Sequence, residues 1–260
     1  MSGGWVAEKT AIVTGAGSGI GRTVARLLSA EGATVLLTDI DADAARKAAA
    51  EIGDGAASLA QDVRDPLQWD AVVSGVVQRH GRLDVLVNCA GIQLTRGLIE
   101  TTLEDVRRVF QTNFESVFLG TKAAVKAMLP RKTGSIINVA SNYANIADGL
   151  NAAYCASKAA VAHFTKAAAL DCAQRGTTIR VNSIHPGCID TPMLEREIVD
   201  VAKKRGDPDT SQVRAEWRRM APLGIGTPED VGWAVVHLAS DRSAYMTGSE
   251  IVIDGGHIIR

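Results

Sequence analysis

At 260 residues with 46% hydrophobic content, the chain is long enough to bury a sizeable core and falls within the range of one α/β domain. A formal net charge of -1 provides no concentrated excess of Lys and Arg, which argues against nucleic acid or an anionic membrane surface as partner. The four cysteines, Cys89, Cys155, Cys172 and Cys188, form no C-x-x-C pair, so neither a zinc ribbon nor a thioredoxin-like centre is indicated and no metal is expected.

Apolar, β-branched runs alternate with Ala-rich stretches of helical period, the pattern of repeated βαβ units around a buried parallel sheet. The first predicted strand, Thr10–Thr14, leads into Gly15, Ala16, Gly17, Ser18, Gly19, Ile20 and Gly21 and a predicted helix over Ile20–Glu31. Glycines between a strand and a helix permit a tight turn and close backbone approach, while the helix N-terminus offers free N–H groups to a pyrophosphate. The second strand, Thr34–Thr38, is followed by Asp39 and Ile40. An acid at that place accepts hydrogen bonds from adenosine ribose hydroxyls and repels a 2′-phosphate. Neither Ser18 nor Ile40 is a cation that would offset the repulsion, so NAD is expected over NADP. Capping of the next helix, Ala42–Ile52, is already served by Asp41.

Strands over Ala56–Ala60 and Val85–Asn88 are followed by Asp62-Val63 and by Cys89, Ala90 and Gly91. Both segments fall at carboxyl ends of strands, where ligands of such sheets gather, although each alone reads equally as a βα turn. Helices are predicted over Pro66–Arg79 and, as one long element, Leu103–Met128. After the strand Ser135–Val139 comes Ser141, whose hydroxyl could hold a substrate oxygen. The helix Ala153–Gln174 carries Tyr154 and Lys158 at i, i+4, on one face. A phenol titrates near pH 10 and becomes a useful base at neutral pH only where a cation stabilises its phenolate, which Lys158 supplies.

Strands Arg180–Ile184 and Glu250–Val252 and the helix Pro228–Ala239 complete the expected sheet, an open, doubly wound Rossmann-type arrangement of about seven strands with helices on both faces. Between them, residues 188 to 226 interrupt the alternation. An insertion of this length reads as a substrate lid, and Met193, Leu194, Ile198, Val199, Val213, Trp217, Met220 and Leu223 either line a pocket or bury the lid's own small helices. No linker or repeat divides residues 1–260, so one domain is expected. With no basic segment before an apolar one at the N-terminus, and no run of about 18 apolar residues, a cytoplasmic protein without a membrane span is expected.

Taken together, Thr14 to Gly21, Asp62-Val63, Asn88 to Gly91, Asn113, Ser141, Tyr154 to Lys158, Pro186-Gly187 and Thr191 resemble the short-chain dehydrogenase/reductase family in order and spacing, over nearly the whole chain. The resemblance implies that Tyr154 exchanges the proton and Ser141 orients the substrate oxygen. It further implies that Lys158 lowers the tyrosine pKa and binds nicotinamide ribose, and that Asn113 holds a water in the proton relay. Pro186, Gly187, Ile189 and Thr191 would border the nicotinamide end. Cys89 departs from the family's usual Asn. The stretch Arg180 to Gly187 with Thr191-Pro192-Met193 looks most like family members acting on cyclic secondary alcohols, including bacterial hydroxysteroid and cycloalkanol dehydrogenases. His185, within that stretch, reads as structural.

These readings converge on NAD-dependent interconversion of a hydrophobic, cyclic or steroid-like secondary alcohol and its ketone. The alternatives are a carbonyl or 3-oxoacyl-thioester reductase and a non-catalytic NAD-binding protein. Gln93, Asn142, Tyr143, Cys188 and Met193 flank the matched elements and are the expected substrate-facing positions. Family resemblance also implies a homotetramer; Ala156, Ala160 and Ala167 suit close helix packing, as they equally suit a monomer core.

Overall fold

The computed structural model describes residues 4–207 and 209–260. Seven parallel strands form one sheet in the order β3-β2-β1-β4-β5-β6-β7: β1 Thr10–Thr14, β2 Thr34–Asp39, β3 Ala56–Ala60, β4 Val85–Asn88, β5 Thr133–Val139, β6 Thr178–Pro186 and β7 Glu250–Ile253. Helices α1 Gly19–Ala30, α2 Ala42–Ile52, α3 Pro66–His80, α4 Leu103–Phe110, α5 Ser116–Met128, α6 Ala152–Gln174, α7 Pro192–Arg205, α8 Thr210–Met220 and α9 Pro228–Ala239 surround it. Among the described residues no helix is long and apolar enough to cross a membrane.

Strand alternation assigns each face its own core. Ala11, Val13, Val85, Val87, Ile137 and Val139 pack with residues of α1, α2 and α9. The intervening Ile12, Leu86 and Ile136 pack with residues of α3, α5 and α6 on the other face. Because both faces are covered, the central strands β1, β4, β5 and β6 are buried at nearly every position, as a parallel sheet flanked by helices requires.

The helix expected over Leu103–Met128 is interrupted: Gln111–Glu115 form a π turn between α4 and α5. A π turn inserts one residue into the helical repeat and re-aims the side chains beyond it, a device common at functional positions. Here it carries the fully buried Asn113. Periodicity alone reads through such an insertion, which explains the difference. The inserted stretch 188 to 226 holds α7 and α8 and is stitched shut at its base, where Asp190 N–H donates to Gly226 O at 2.9 Å and Gly226 N–H to Cys188 O at 2.9 Å. Leu194, Ile198, Val201, Ala202, Val213 and Trp217 form a separate apolar cluster there. Both readings of the lid's apolar residues therefore apply: Ile198 and Val213 fill its interior, Met193, Leu194 and Trp217 also face the cavity, and Leu223 stays exposed.

A buried polar chain fastens α6 to the sheet. Asn88 Nδ2 donates to Asn138 Oδ1 at 2.9 Å, Asn138 Nδ2 to Thr165 Oγ1 at 2.9 Å, and Thr165 Oγ1 to Val161 O at 2.8 Å. Replacing Asn138 by Ala leaves amide and hydroxyl groups unpaired in a dry interior, and should lower unfolding free energy by about 2 kcal/mol, read as a fall in the urea midpoint at unchanged slope. An unchanged midpoint would show that the chain contributes nothing to holding α6.

Candidate active site

β1 and β4 are neighbours although the chain visits two strands between them, so connections leave the sheet in opposite directions from this point and open a crevice at its carboxyl edge. A cavity of about 690 Å³ lies there. Its wall takes in Gly15, Ser18, Gly19, Ile20, Gly21, Asp39, Ile40, Asp62, Val63, Ala90 and Gly91 on one side, and Pro186, Gly187, Ile189 and Thr191 on the other. Ser141, Tyr154 and Lys158 lie on the same wall, as do Gln93, Asn142, Tyr143, Cys188 and Met193. Gly17, Asn88 and Asn113 lie behind it. Gly17 N–H donates to Asp39 Oδ2 at 2.9 Å, and Asn88 belongs to the polar chain beneath the wall.

The β1–α1 turn is shaped for a phosphate-bearing ligand. Gly15 has φ of +64°, and a Cβ there would lie 2.8 Å from Ala90 Cα. At Gly21 a Cβ would lie 2.3 Å from Gly15 O. Ser18 at the head of α1 makes no side-chain cap and no acid occupies the first turn, which leaves the positive end of the helix open to an anion. Further along the wall Gln61 is buried, with neither its amide nitrogen nor its oxygen partnered among the described residues. A glycine cradle, an uncapped helix end and an orphaned amide in one crevice fit the phosphates and the flat, hydrogen-bonding base of a dinucleotide. Gln61 had no sequence signal beyond its place one residue past β3.

Asp39 ends β2 with its carboxylate pinned by Gly17 N–H and, at 3.0 Å, by Asp41 N–H. Arg64, the cation on the same wall, is engaged by Asp62 through bonds of 2.9 Å and 2.6 Å. Across the crevice, Lys158 Nζ donates to Val139 O at 2.8 Å and stands 5.6 Å from the centre of the Tyr154 ring. Burial lowers the Lys158 pKa to about 8, so its ammonium still predominates at neutral pH. Burial likewise pushes the Tyr154 phenol above its usual range, while the Ser141 hydroxyl acts in the opposite direction. The neutral phenol is thus the resting form, suited to donating a proton.

Ser141 is set by the loop after β5, where its Oγ accepts from Tyr143 N–H at 3.1 Å. Its carbonyl faces His185 Nδ1 at 3.1 Å, which gives the buried His185 a positioning place behind the wall. Asn113 accepts from Ile92 N–H at 2.8 Å and donates to Ile92 O at 2.9 Å and Ser157 Oγ at 3.1 Å. It thereby ties the segment after β4 to α6 beside Lys158. Glu197, Ile92, Arg196 and His257 also reach the cavity and were not singled out by sequence pattern, whereas Trp217, which also reaches it, was among the lid's expected apolar residues.

A tyrosine and a lysine one helical turn apart, a serine at the adjacent strand end and a dinucleotide cradle define a nucleotide-dependent oxidoreductase. The chain belongs to the short-chain dehydrogenase/reductase family, whose members use a nicotinamide cofactor; the matching family model, described as enoyl-(acyl carrier protein) reductase, covers residues 15–257. The chain is 40% identical over 260 residues to the cyclopentanol dehydrogenase of Comamonas testosteroni, covering 98% of each chain. It is 42% identical over 247 residues to the 3-beta-hydroxysteroid dehydrogenase of the same species, covering 95% of this chain and 94% of that one. A third relative, the NADP-dependent (R)-specific alcohol dehydrogenase of Lentilactobacillus kefiri, is 37% identical over 253 residues, 96% of each chain.

Replacing Gly15 by Ala places a side chain in the left-handed region against the Ala90 backbone and should weaken binding of reduced nicotinamide dinucleotide by about tenfold or more, read by fluorescence titration with the fold checked by circular dichroism. Unchanged binding would remove the turn from the nucleotide site.

Proposed function

We propose that the protein interconverts a hydrophobic, cyclic or steroid-like secondary alcohol and its ketone, using NAD, with Tyr154 as the acid/base. The observation that carries this reading is the convergence of Ser141, Tyr154 and Lys158 on a cavity that also contains the glycine cradle and an apolar wall of Ile189, Met193, Leu194 and Trp217. Relatives named for cyclopentanol and for a 3-beta-hydroxysteroid support the substrate class.

When bound, the nicotinamide supplies the hydride acceptor or donor. Gly15 to Gly21 would hold its pyrophosphate, Asp39 the adenosine ribose, Lys158 the nicotinamide ribose, and Pro186, Gly187, Ile189 and Thr191 the nicotinamide end. Ser141 holds the substrate oxygen. In oxidation the Tyr154 phenolate, a form that the Lys158 ammonium favours, takes the hydroxyl proton and becomes the neutral phenol; in reduction the neutral phenol gives that proton to the ketone oxygen and becomes the phenolate. Asn113 keeps the segment after β4 against α6, next to the place of the relayed proton. Asp39, pinned by backbone N–H groups and near an Arg64 that Asp62 already engages, supports NAD over NADP. The NADP-dependent relative favours the opposite preference, in which case the carbonyl reductase direction gains weight.

Purified protein given cyclopentanol and a 3β-hydroxysteroid should form NADH at least about tenfold faster with NAD+ than NADPH with NADP+. A preference for NADP+ would overturn the Asp39 assignment. Tyr154→Phe should lower kcat by about 10³-fold or more with NADH affinity nearly intact; a loss under tenfold would overturn the role of the phenol. A homotetramer in the cytoplasm completes the proposal, with the half-exposed Phe118 on α5 and the exposed Leu170 on α6 as candidate contact residues between subunits. Sedimentation equilibrium should give about four times the 27.4 kDa chain mass, and a monomer would overturn the assembly.

A further inference from the structure

The proposed reaction uses Tyr154, Ser141 and Lys158 and leaves a further buried carboxyl group among the described residues of the cavity wall without a task. Glu197 lies on α7, one helical turn beyond Met193, so the two side chains share the lid face turned toward the cavity. It is 6% exposed. Asn151 Nδ2 donates to its Oε1 at 3.3 Å, the Gln93 amide also reaches the carboxyl, and Gln93 Nε2 holds Asn151 at 3.3 Å. Among the described residues, no Lys, Arg or His lies within ion-pair distance of it.

A carboxylate can accept about four hydrogen bonds, and burying one that is poorly partnered is costly. Nothing about the lid's own packing requires this cost, since Leu194, Ile198, Val201, Val213 and Trp217 already close its interior. The carboxyl instead sits at the substrate end. Its charge is felt by Tyr143, Tyr154 and Cys188, which all face the same cavity. Burial raises its pKa to about 7, so near neutrality it exists in both forms, and each can bond a neutral hydroxyl. An ammonium group would need the charged form alone. The same cavity wall takes in the apolar side chains Met193, Leu194 and Trp217.

We propose that Glu197, seated by Asn151 and Gln93, is the binding site for a second hydroxyl of the substrate, so that the preferred substrates are cyclic alcohols carrying a further hydroxyl away from the carbinol carbon that reacts. This deepens the proposed function and rests on it. The carbinol oxygen goes to Ser141 and Tyr154, the ring lies along the apolar wall, and the distal hydroxyl meets the Glu197 carboxyl. Two polar anchors on one cavity wall, with apolar side chains also on it, would fix which ring carbon faces the hydride position, giving the site regioselectivity as well as affinity. Such a site discriminates strongly against an analogue lacking the hydroxyl, because the buried acid is then left without its partner.

The test compares cyclohexane-1,4-diol, 4-methylcyclohexanol and 4-aminocyclohexanol as substrates of the wild-type protein, Glu197→Leu and Glu197→Gln. The wild type should prefer the diol in kcat/KM by about tenfold or more over both others. Glu197→Leu should lose that preference through a raised KM for the diol, with 4-methylcyclohexanol turned over as well as before or better. Glu197→Gln, which still offers a hydrogen-bonding amide and preserves the fold, should retain most of it. Equal losses on all three compounds in Glu197→Leu, or a wild-type preference for the methyl compound, would overturn the proposal, and preference for the amino alcohol would make the site one for cations instead. Calorimetric binding of the same compounds to wild-type protein holding NADH separates the two layers. Diol-selective binding that Glu197→Leu abolishes, without turnover of any alcohol, would sink the dehydrogenase reading and leave the hydroxyl site standing; turnover without diol-selective binding would do the reverse.

Discussion

Keeping the Lys158 ammonium inside the protein is the constraint on which the site is built. Removing a cation from water disfavours its charge, and its pKa falls accordingly to about 8. What keeps the charge tolerable is a specific acceptor, the carbonyl of Val139 at the end of β5, 2.8 Å away. In a parallel sheet the last carbonyls of a strand face the crevice without a further strand residue to use them, so the sheet edge supplies the acceptor at the cavity wall. Moving α6 by one residue would break this bond and turn Tyr154 off the wall with it. The buried chain from Asn88 through Asn138 to Thr165 guards against that slip by fixing α6 against β4 and β5.

Tyr154 and Lys158 are pushed in opposite directions by the same burial, the phenol upward and the amine downward. Both shifts favour neutral groups, and they compete with the attraction between phenolate and ammonium that the chemistry needs. A protein that merely buried the pair would leave the tyrosine an inert phenol. Ser141 biases the balance from the phenol side, and its own placement depends on backbone contacts: Tyr143 N–H on its hydroxyl and His185 on its carbonyl. The surroundings of Tyr154 are therefore set by groups that hold one another in place.

Much of this was legible in the sequence because it depends on local rules. Strand and helix positions are marked by alternation and by caps such as Asp65-Pro66 and Thr227-Pro228, and every strand of the sheet except β3, which has no β-branched residue, carries β-branched residues. The cavity-lining glycines, Asp39, Ser141, Tyr154 and Lys158 were marked by their place after strands or by helical spacing. Other features had no such mark. The π turn is set by what Asn113 bonds to, the Ile92 backbone and Ser157, and neither partner is near it in sequence. Gln61 looked like any polar residue after a strand. Its significance lies in lacking partners, a property that a sequence does not display.

Glu197 shows why the lid was harder to read than the sheet. Glu195, Arg196 and Glu197 form a charged triplet that by composition belongs on a solvated face, and Glu195 indeed reaches outward to Arg214. A helix, however, turns about 100° per residue, so neighbours in a charged run cannot all face water when the opposite side is a core. The pattern Leu194, Ile198, Val201 sets the buried stripe of α7, and Glu197 falls beside it, toward Met193 and the cavity. A charge at the edge of an apolar stripe is a conflict between the local residue and the global fold, and such conflicts concentrate where function overrides packing. The partner that resolves this one belongs in the cavity, because the lid's interior holds no ion pair for the carboxyl among the described residues and the sheet edge opposite is occupied by Tyr154 and Ser141.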